Sequence, residues 1–255
     1  MGQLGWSCLG WGCLGWAVSR GDIRVDASGR AHSSVGSPQY RPCYRPLPYG
    51  RYGDQTGTDE EGGDVELVEQ HRRAMAEFDA RVRQLTEDRW RTPTPCDDWD
   101  VRTLVNHLVV EQWWTPHLLR GETLEQVGDR YDGDLLGDDP VAAWIEAAAR
   151  ARDAVTAPGA LEGQVHTSGQ GQIPASVYVG QMTMDLAIHA WDLARSLEVE
   201  DRLDAGLVDA LIQALEPQAD HLAATGLFAP PVEVGEAADP QTRMLAIVGR
   251  DARVT

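Results

Sequence analysis

Lysine is absent from the 255 residues, so all 22 basic side chains are arginine, and Asn106 is the lone asparagine. Both shortages match the coding bias of a GC-rich genome and bear on source more than on chemistry. Positive charge is scarce altogether: 40 acidic residues against 22 basic ones give a formal net charge of −18 and a pI near 4.6. A field of that sign repels phosphate, which argues against nucleic acid or an anionic membrane as partner and leaves small molecules. The four cysteines (Cys8, Cys13, Cys43 and Cys96) form no disulfide framework, since three fall in the first 64 residues. No apolar run approaches the ~20 residues of a membrane span. A secretory signal is not expected either, because no basic residue precedes Arg20 and glycines interrupt the apolar start. The cytoplasm is the expected compartment.

The chain divides by texture into two parts. Leu4-Gly-Trp-Ser-Cys, Leu9-Gly-Trp-Gly-Cys and Leu14-Gly-Trp-Ala-Val repeat every five residues, a period that fits neither helix nor strand. Cys8 and Cys13 lack a second Cys/His pair at metal spacing. Residues 1–64 are therefore expected to be a disordered or low-complexity extension, ending in a linker rich in Gly, Pro, Ser and Arg. Residues 65–255 are expected to form one helical domain.

Within that domain, Leu67, Ala74, Phe78, Val82 and Leu85 define a helical stripe, predicting a first helix over 65–88. The two prolines of Thr92-Pro-Thr-Pro-Cys96 break it into an extended connector. Asp98 or Asp100 can cap the next helix, whose apolar side is Val101, Leu104, Val105 and Leu108. An acidic Gly-rich loop (128–139) leads through Pro140 into an alanine-rich helix over 141–155. Residues 159–174 read as a loop with room for a short extended piece, followed by helices over 175–197 and 204–224. Four long helices with connectors predict an all-α bundle.

Asp185 and His189 lie four apart on one face of the 175–197 helix, so a carboxylate and an imidazole converge. His107 on the second helix is the best third group, giving a three-ligand metal site with an open position if the helices run antiparallel. Taken by itself, a D-x-x-x-H pair also fits a helix ion pair or a satisfied core histidine.

Two separated motifs, Thr94-Pro-Cys-Asp-Asp-Trp-Asp-Val-Arg-Thr-Leu-Val-Asn-His107 and Asp185-Leu-Ala-Ile-His-Ala-Trp-Asp-Leu-Ala-Arg195, resemble those of the DinB-like superfamily. They resemble more closely the actinobacterial metal-binding relatives of the mycothiol-dependent maleylpyruvate isomerase N-terminal domain. The likeness covers about Val65 to Arg250, with Gly249-Arg-Asp251 fitting that branch. It implies a DinB-like four-helix bundle that holds a divalent metal between its helices on His107, Asp185 and His189. The chain departs from the thiol-dependent isomerase in having aspartate where that enzyme has glutamate, and it shows no full second domain after the bundle. The metal site therefore transfers more directly than the reaction.

Zinc is the first expectation for the ion, with nickel or iron as alternatives, because the same ligand set serves non-haem iron oxygenases. A low-molecular-weight thiol is the implied co-substrate. A divalent cation deprotonates a thiol whose free pKa is about 8.5, which would suit a transferase or isomerase acting on an electrophilic small molecule. The alternative is a protein in which the ion only stabilises the bundle or reports metal supply. A homodimer is compatible with exposed helix faces. Asp192 either orients a ligand or pairs with Arg195 on the surface. Trp99 and Trp191 either line a pocket or fill the core. Cys96 reads as structural, because Asp97 and Asp98 beside it disfavour its thiolate. His117, His166 and His221 lack a paired partner and read as ordinary surface or core histidines.

Overall fold

The computed structural model describes residues 24–25, 31–32, 60–96, 99–168, 170–225 and 228–253. The five-residue repeat, Cys8, Cys13, Cys43, Asp97 and Asp98 lie outside the described residues. Two short strands, β1 (Arg24–Val25) and β2 (Ala31–His32), pair antiparallel. The rest is mostly helical.

Helix α1 spans Glu60–Val82, starting before the expected boundary and ending six residues earlier than expected. Thr86 explains the early stop: its backbone is extended and its hydroxyl bonds the Asp88 carboxylate at 2.7 Å, a local bond that competes with the helix. One tight helical turn, Glu87–Arg89, follows. The proline connector is extended as expected, with Pro93 bridged to Asp100. Asp100 caps α2 (Val101–Leu119), accepting from the Thr103 amide at 2.8 Å and its hydroxyl at 2.7 Å. A single turn, α3 (Leu124–Val127), closed by a Thr123–Gln126 capping box, precedes the acidic loop. Helix α4 (Pro140–Val155) begins with proline at its first turn and Asp139 as cap.

The segment expected as a loop contains a hairpin, in which β3 (Gln164–Thr167) and β4 (Gly171–Pro174) pair with Gln164 opposite Pro174. Its signal is weak in sequence, because only Val165, Thr167 and Ile173 turn inward. Helix α5 occupies Ala175–Leu197, as expected. The expected helix over 204–224 is instead two, α6 (Ala205–Leu215) and α7 (Ala219–Thr225), separated by a tight turn at Pro217, which cannot donate to the preceding turn. Helix α8 (Pro240–Ile247) packs on α6.

Packing explains how a site arises. Helices α1 and α5 lie against each other, as do α2 and α4, and the pairs close through α1 against α4 and α2 against α5. In α5 every residue except Ser176 and Arg195 is buried, so it is the central helix. A buried helix can bear polar side chains only where partners meet them. Gln181, Thr183, Asp185, His189 and Asp192 all lie on it.

Candidate metal centre

Asp185 is the meeting point of α2 and α5. His107 Nε2 lies 3.2 Å from its Oδ2, and His189 Nε2 lies 3.4 Å from its Oδ1. One ligand atom from each of the three residues falls within 4.8 Å of the others. Two turns further along α2 and back along α5, the Thr115 and Tyr178 hydroxyls meet at 3.0 Å, which shows that the two helices run antiparallel. His107, Asp185 and His189 are thus brought together as the sequence suggested. All three are largely buried; His107 is the most open, its side chain 11% exposed, so solvent reaches the cluster from its side.

The other ring nitrogen of His189 is also held. Nδ1 lies 2.9 Å from Asp192 Oδ2, and Asp192 is fully buried. A carboxylate at that position accepts from Nδ1–H and turns Nε2 toward Asp185, the orientation in which loss of the Nε2 proton would free a lone pair for a metal. Asp192 is anchored in turn by Arg250, whose Nη2 donates to Oδ2 at 3.0 Å and whose Nε approaches Oδ1 at 3.4 Å. The surface pairing of Asp192 with Arg195 does not form; Arg195 binds Asp201 at 3.0 Å instead.

Cys96 belongs to this network rather than to the general core. Its Sγ is 3.4 Å from Asp192 Oδ2, 3.3 Å from Arg250 Nη2 and 4.0 Å from His189 Nδ1. Cys96, His189 and Asp192 therefore also satisfy the spacing of a metal site. The Arg250 guanidinium already supplies the positive charge there, which makes that group a poor cation site and leaves His107, Asp185 and His189 as the better one. Gly249 makes the arginine's entry feasible. Its φ is +78°, and a Cβ at that position would lie 2.5 Å from Ala229 Cβ and 2.6 Å from the Ala229 carbonyl oxygen.

The electrostatics fit a site built for a cation. Burial favours the neutral form of Asp185, but the charges of His189 and His107 outweigh it and drive its pKa far down. Burial likewise disfavours charged His189, yet Asp185 and Asp192 raise its pKa strongly. Asp192 is lowered to about 2, burial being outweighed by Arg250 and His189. In such a cluster a proton and a divalent ion compete for the same lone pairs. The donor set of two imidazoles and a carboxylate suits a divalent transition ion.

The tryptophans divide between their two expected roles. Trp99 stacks on the His189 ring at 5.8 Å and meets His107 at 5.1 Å, so it walls the site. Trp191 is core, with the Arg195 guanidinium 5.6 Å above its ring. His117 is not a ligand here: it joins Glu122 and Tyr131, each at 2.8 Å. His166 faces Gln172 on the hairpin, and the side chain of His221 is outside the described set. Sequence reasoning did not single out Glu111, which is buried one turn after His107, or His71, which is buried on α1. The H-x-x-x-E spacing on α2 was the available signal for Glu111.

Comparison with known proteins places the chain in a family. The family model described as the mycothiol maleylpyruvate isomerase N-terminal domain matches residues 71–194, which include all three cluster residues. Uncharacterised proteins from two strains of Mycobacterium tuberculosis are each 31% identical over 141 residues, covering 54% of this chain and 70% of theirs. The chain belongs to the mycothiol maleylpyruvate isomerase N-terminal domain family. Crystal structures of the mycothiol-dependent maleylpyruvate isomerase and of a mutant of it superimpose with a TM-score of 0.47 at 15% and 14% identity. Each match covers 63% of this chain and 69% of the other. Among the described residues, no helix is long and apolar enough to cross a membrane.

Proposed function

We propose that this family member is a DinB-like four-helix bundle that binds a divalent metal, zinc in the first instance, on His107, Asp185 and His189. On this reading it acts in the cytoplasm as a thiol-dependent transferase or isomerase on an electrophilic small molecule. The observation that supports it most is the double constraint on His189: Nδ1 is pinned by Asp192 while Nε2 faces Asp185 and, through it, His107. A histidine that served only as a core hydrogen bonder would not need both carboxylates.

An ion held by these residues supplies Lewis acidity, lowering the pKa of a thiol or water that reaches it. The chain's own residues do the rest. Asp192 and Arg250 fix the orientation of His189. Trp99 covers the two imidazoles and excludes bulk water from one side. Three protein donors leave a coordination position for an incoming molecule.

The test is a titration of the full-length, cobalt-substituted protein with a low-molecular-weight thiol, followed by visible absorption. A saturable change that depends on His189 supports the reading. Bound cobalt whose spectrum ignores the thiol contradicts thiol dependence and favours an ion that only stabilises the fold.

A further inference from the structure

Helix α2 ends at Leu119, and the turn after it folds back on the helix. The Arg120 and Glu122 amides both donate to the His117 carbonyl, and Gly121 takes the left-handed backbone, φ +78°, that the reversal needs. The turn sets the Glu122 carboxylate beside the His117 ring, with Oε2 2.8 Å from Nδ1. Across that ring, Nε2 lies 2.8 Å from the hydroxyl of Tyr131, which arrives from the loop after α3. Hydroxyl, imidazole and carboxylate each stand within hydrogen-bond reach of the next, and none of them belongs to the His107–Asp185–His189 cluster.

Two charged groups meet Nδ1. Ionised Glu122 can only accept, whereas Arg120, whose Nη2 is 2.9 Å away, can only donate. The carboxylate is the nearer, and Arg120 is forked onto its other oxygen at 2.7 and 3.0 Å, so the hydrogen is assigned to Nδ1. His117, and then Arg120, keep the Glu122 carboxyl below its usual pKa and therefore charged. The Nε2 lone pair then accepts from the Tyr131 hydroxyl. A hydroxyl beside a base that a third group orients is the constellation that activates a nucleophile. A latch for the loop would need only the tyrosine's bond. Tyr131 is half-buried; its ring stacks on Trp113 at 5.6 Å and meets Trp114 edge-on at 6.2 Å. Trp114 is 2% exposed, and its Nε1–H has no hydrogen-bond partner among the described residues, which leaves a donor open beside the same ring.

We propose that Tyr131, His117 and Glu122 form a second reactive site, in which the Tyr131 hydroxyl takes the acyl group of an activated ester. Oη bonds to the acyl carbon as the ester C–O bond breaks. Its proton passes to His117 Nε2 and from there to the departing oxygen, while Glu122 holds the imidazolium. The products are O-acyl-Tyr131 and the free alcohol or phenol. The tryptophan walls suit an uncharged acyl group, and the net charge of −18 disfavours a phosphoryl donor. The step uses no residue of the metal cluster and stands apart from the reading above.

The test uses full-length, chelator-treated protein and p-nitrophenyl acetate. Nitrophenolate release is followed by absorbance, with Tyr131→Phe as the blank, and the acetylated residue is located by peptide mass. The absence of lysine removes the usual competing side-chain amines. Tyr131 should acetylate about 100-fold or more faster than N-acetyltyrosinamide in the same buffer, the scale of one positioned general base. Glu122 and Arg120 face the imidazole from the turn and Tyr131 from the loop, so the rate should level off well below the phenol range. In His117→Gln the phenol must ionise first; the rate at pH 7 should fall by about 100-fold and keep rising toward pH ~10. Glu122→Gln keeps the side-chain shape and should lose about 10-fold or more. Its side chain is 29% exposed, so this variant decides the matter if His117→Gln fails to fold. A parent whose Tyr131 reacts no faster than N-acetyltyrosinamide, or an unchanged rate in either folded variant, would overturn the proposal and leave the three residues as a latch that holds the loop on α2.

Discussion

Arg250→Met isolates the contribution of the chain's C-terminal segment to the site. The guanidinium is 8% exposed and pairs with a carboxylate that is fully buried, so removing it strands the charge of Asp192. Breaking one side of a buried pair costs about 3–5 kcal/mol, against about 0–1 kcal/mol for an exposed pair. Arg150 and Glu146, 3.0 Å apart with both side chains more than half exposed, supply an internal control. At about 2–4 °C per kcal/mol for a body of this size, Arg250→Met should melt about 6–20 °C below the parent, and Arg150→Met within about 4 °C of it. The pH dependence carries the same signature. The folded pKa of Asp192, about 2, lies below its unfolded value near 3.9. The stabilisation is therefore complete above pH ~4 and is lost as pH falls through about 2. A difference of nearly two pKa units corresponds to roughly 2–3 kcal/mol. Because Asp192 orients His189, the same substitution should weaken metal affinity by about 10- to 100-fold. The assay is thermal unfolding of chelator-treated protein, together with competition for cobalt against an indicator dye. If Arg250→Met melts like Arg150→Met and binds cobalt like the parent, the buried relay from Arg250 to Asp192 to His189 has no energetic reality.

Other consequences follow from single residues. His71 is buried with Nε2 unpartnered among the described residues, and burial lowers its pKa to about 4. The unfolded chain takes up that proton near pH 6.5, so stability should fall by roughly 3 kcal/mol between pH 6.5 and 4, and His71→Leu should flatten this slope in urea titrations. In metal-free protein His189 behaves oppositely. Its raised folded pKa gives stabilisation that is full below pH ~6.5 and is lost at higher pH, so chelated protein should weaken on the alkaline side while metal-loaded protein does not. Gly249→Ala places a methyl group against Ala229 in a left-handed backbone and should cost about 2 kcal/mol or more in denaturant unfolding; a neutral outcome would contradict the tight entry of Arg250. Cys96→Ala should bind cobalt as the parent does, since Arg250 and not an ion neutralises that cluster; loss of metal would move the site to Cys96.

Local signals made much of this molecule legible from its sequence. The boundaries of α5 follow from an uninterrupted apolar pattern between Pro174 and Glu198, and the Asp185/His189 pair follows from one helical turn. His107 was reachable because α2 has a clear cap and stripe. What sequence did not determine are contacts between distant segments. Asp192 has Arg195 three residues away, which periodicity favours, but its actual partner is Arg250, 58 residues on. Cys96 looked inert beside two acids because the guanidinium that meets its sulfur arrives from α8's far end. The end of α1 and the break at Pro217 were decided by local competition, a Thr86 side-chain bond in one case and a missing donor in the other, which outweighed otherwise helical stripes. Only a short extended piece of the hairpin is legible, because its strands have four residues each and show too few inward positions to establish alternation.

The metal content of the full-length protein, purified without an affinity histidine tag and compared with His107→Ala and His189→Ala, tests the central claim most directly. Near-stoichiometric divalent metal in the parent, with loss in both variants while their helical content is retained, is the predicted result. A parent that stays empty after reconstitution with zinc, cobalt, nickel and iron, and folds no better than its variants, would reduce the three residues to a buried polar cluster and contradict the account.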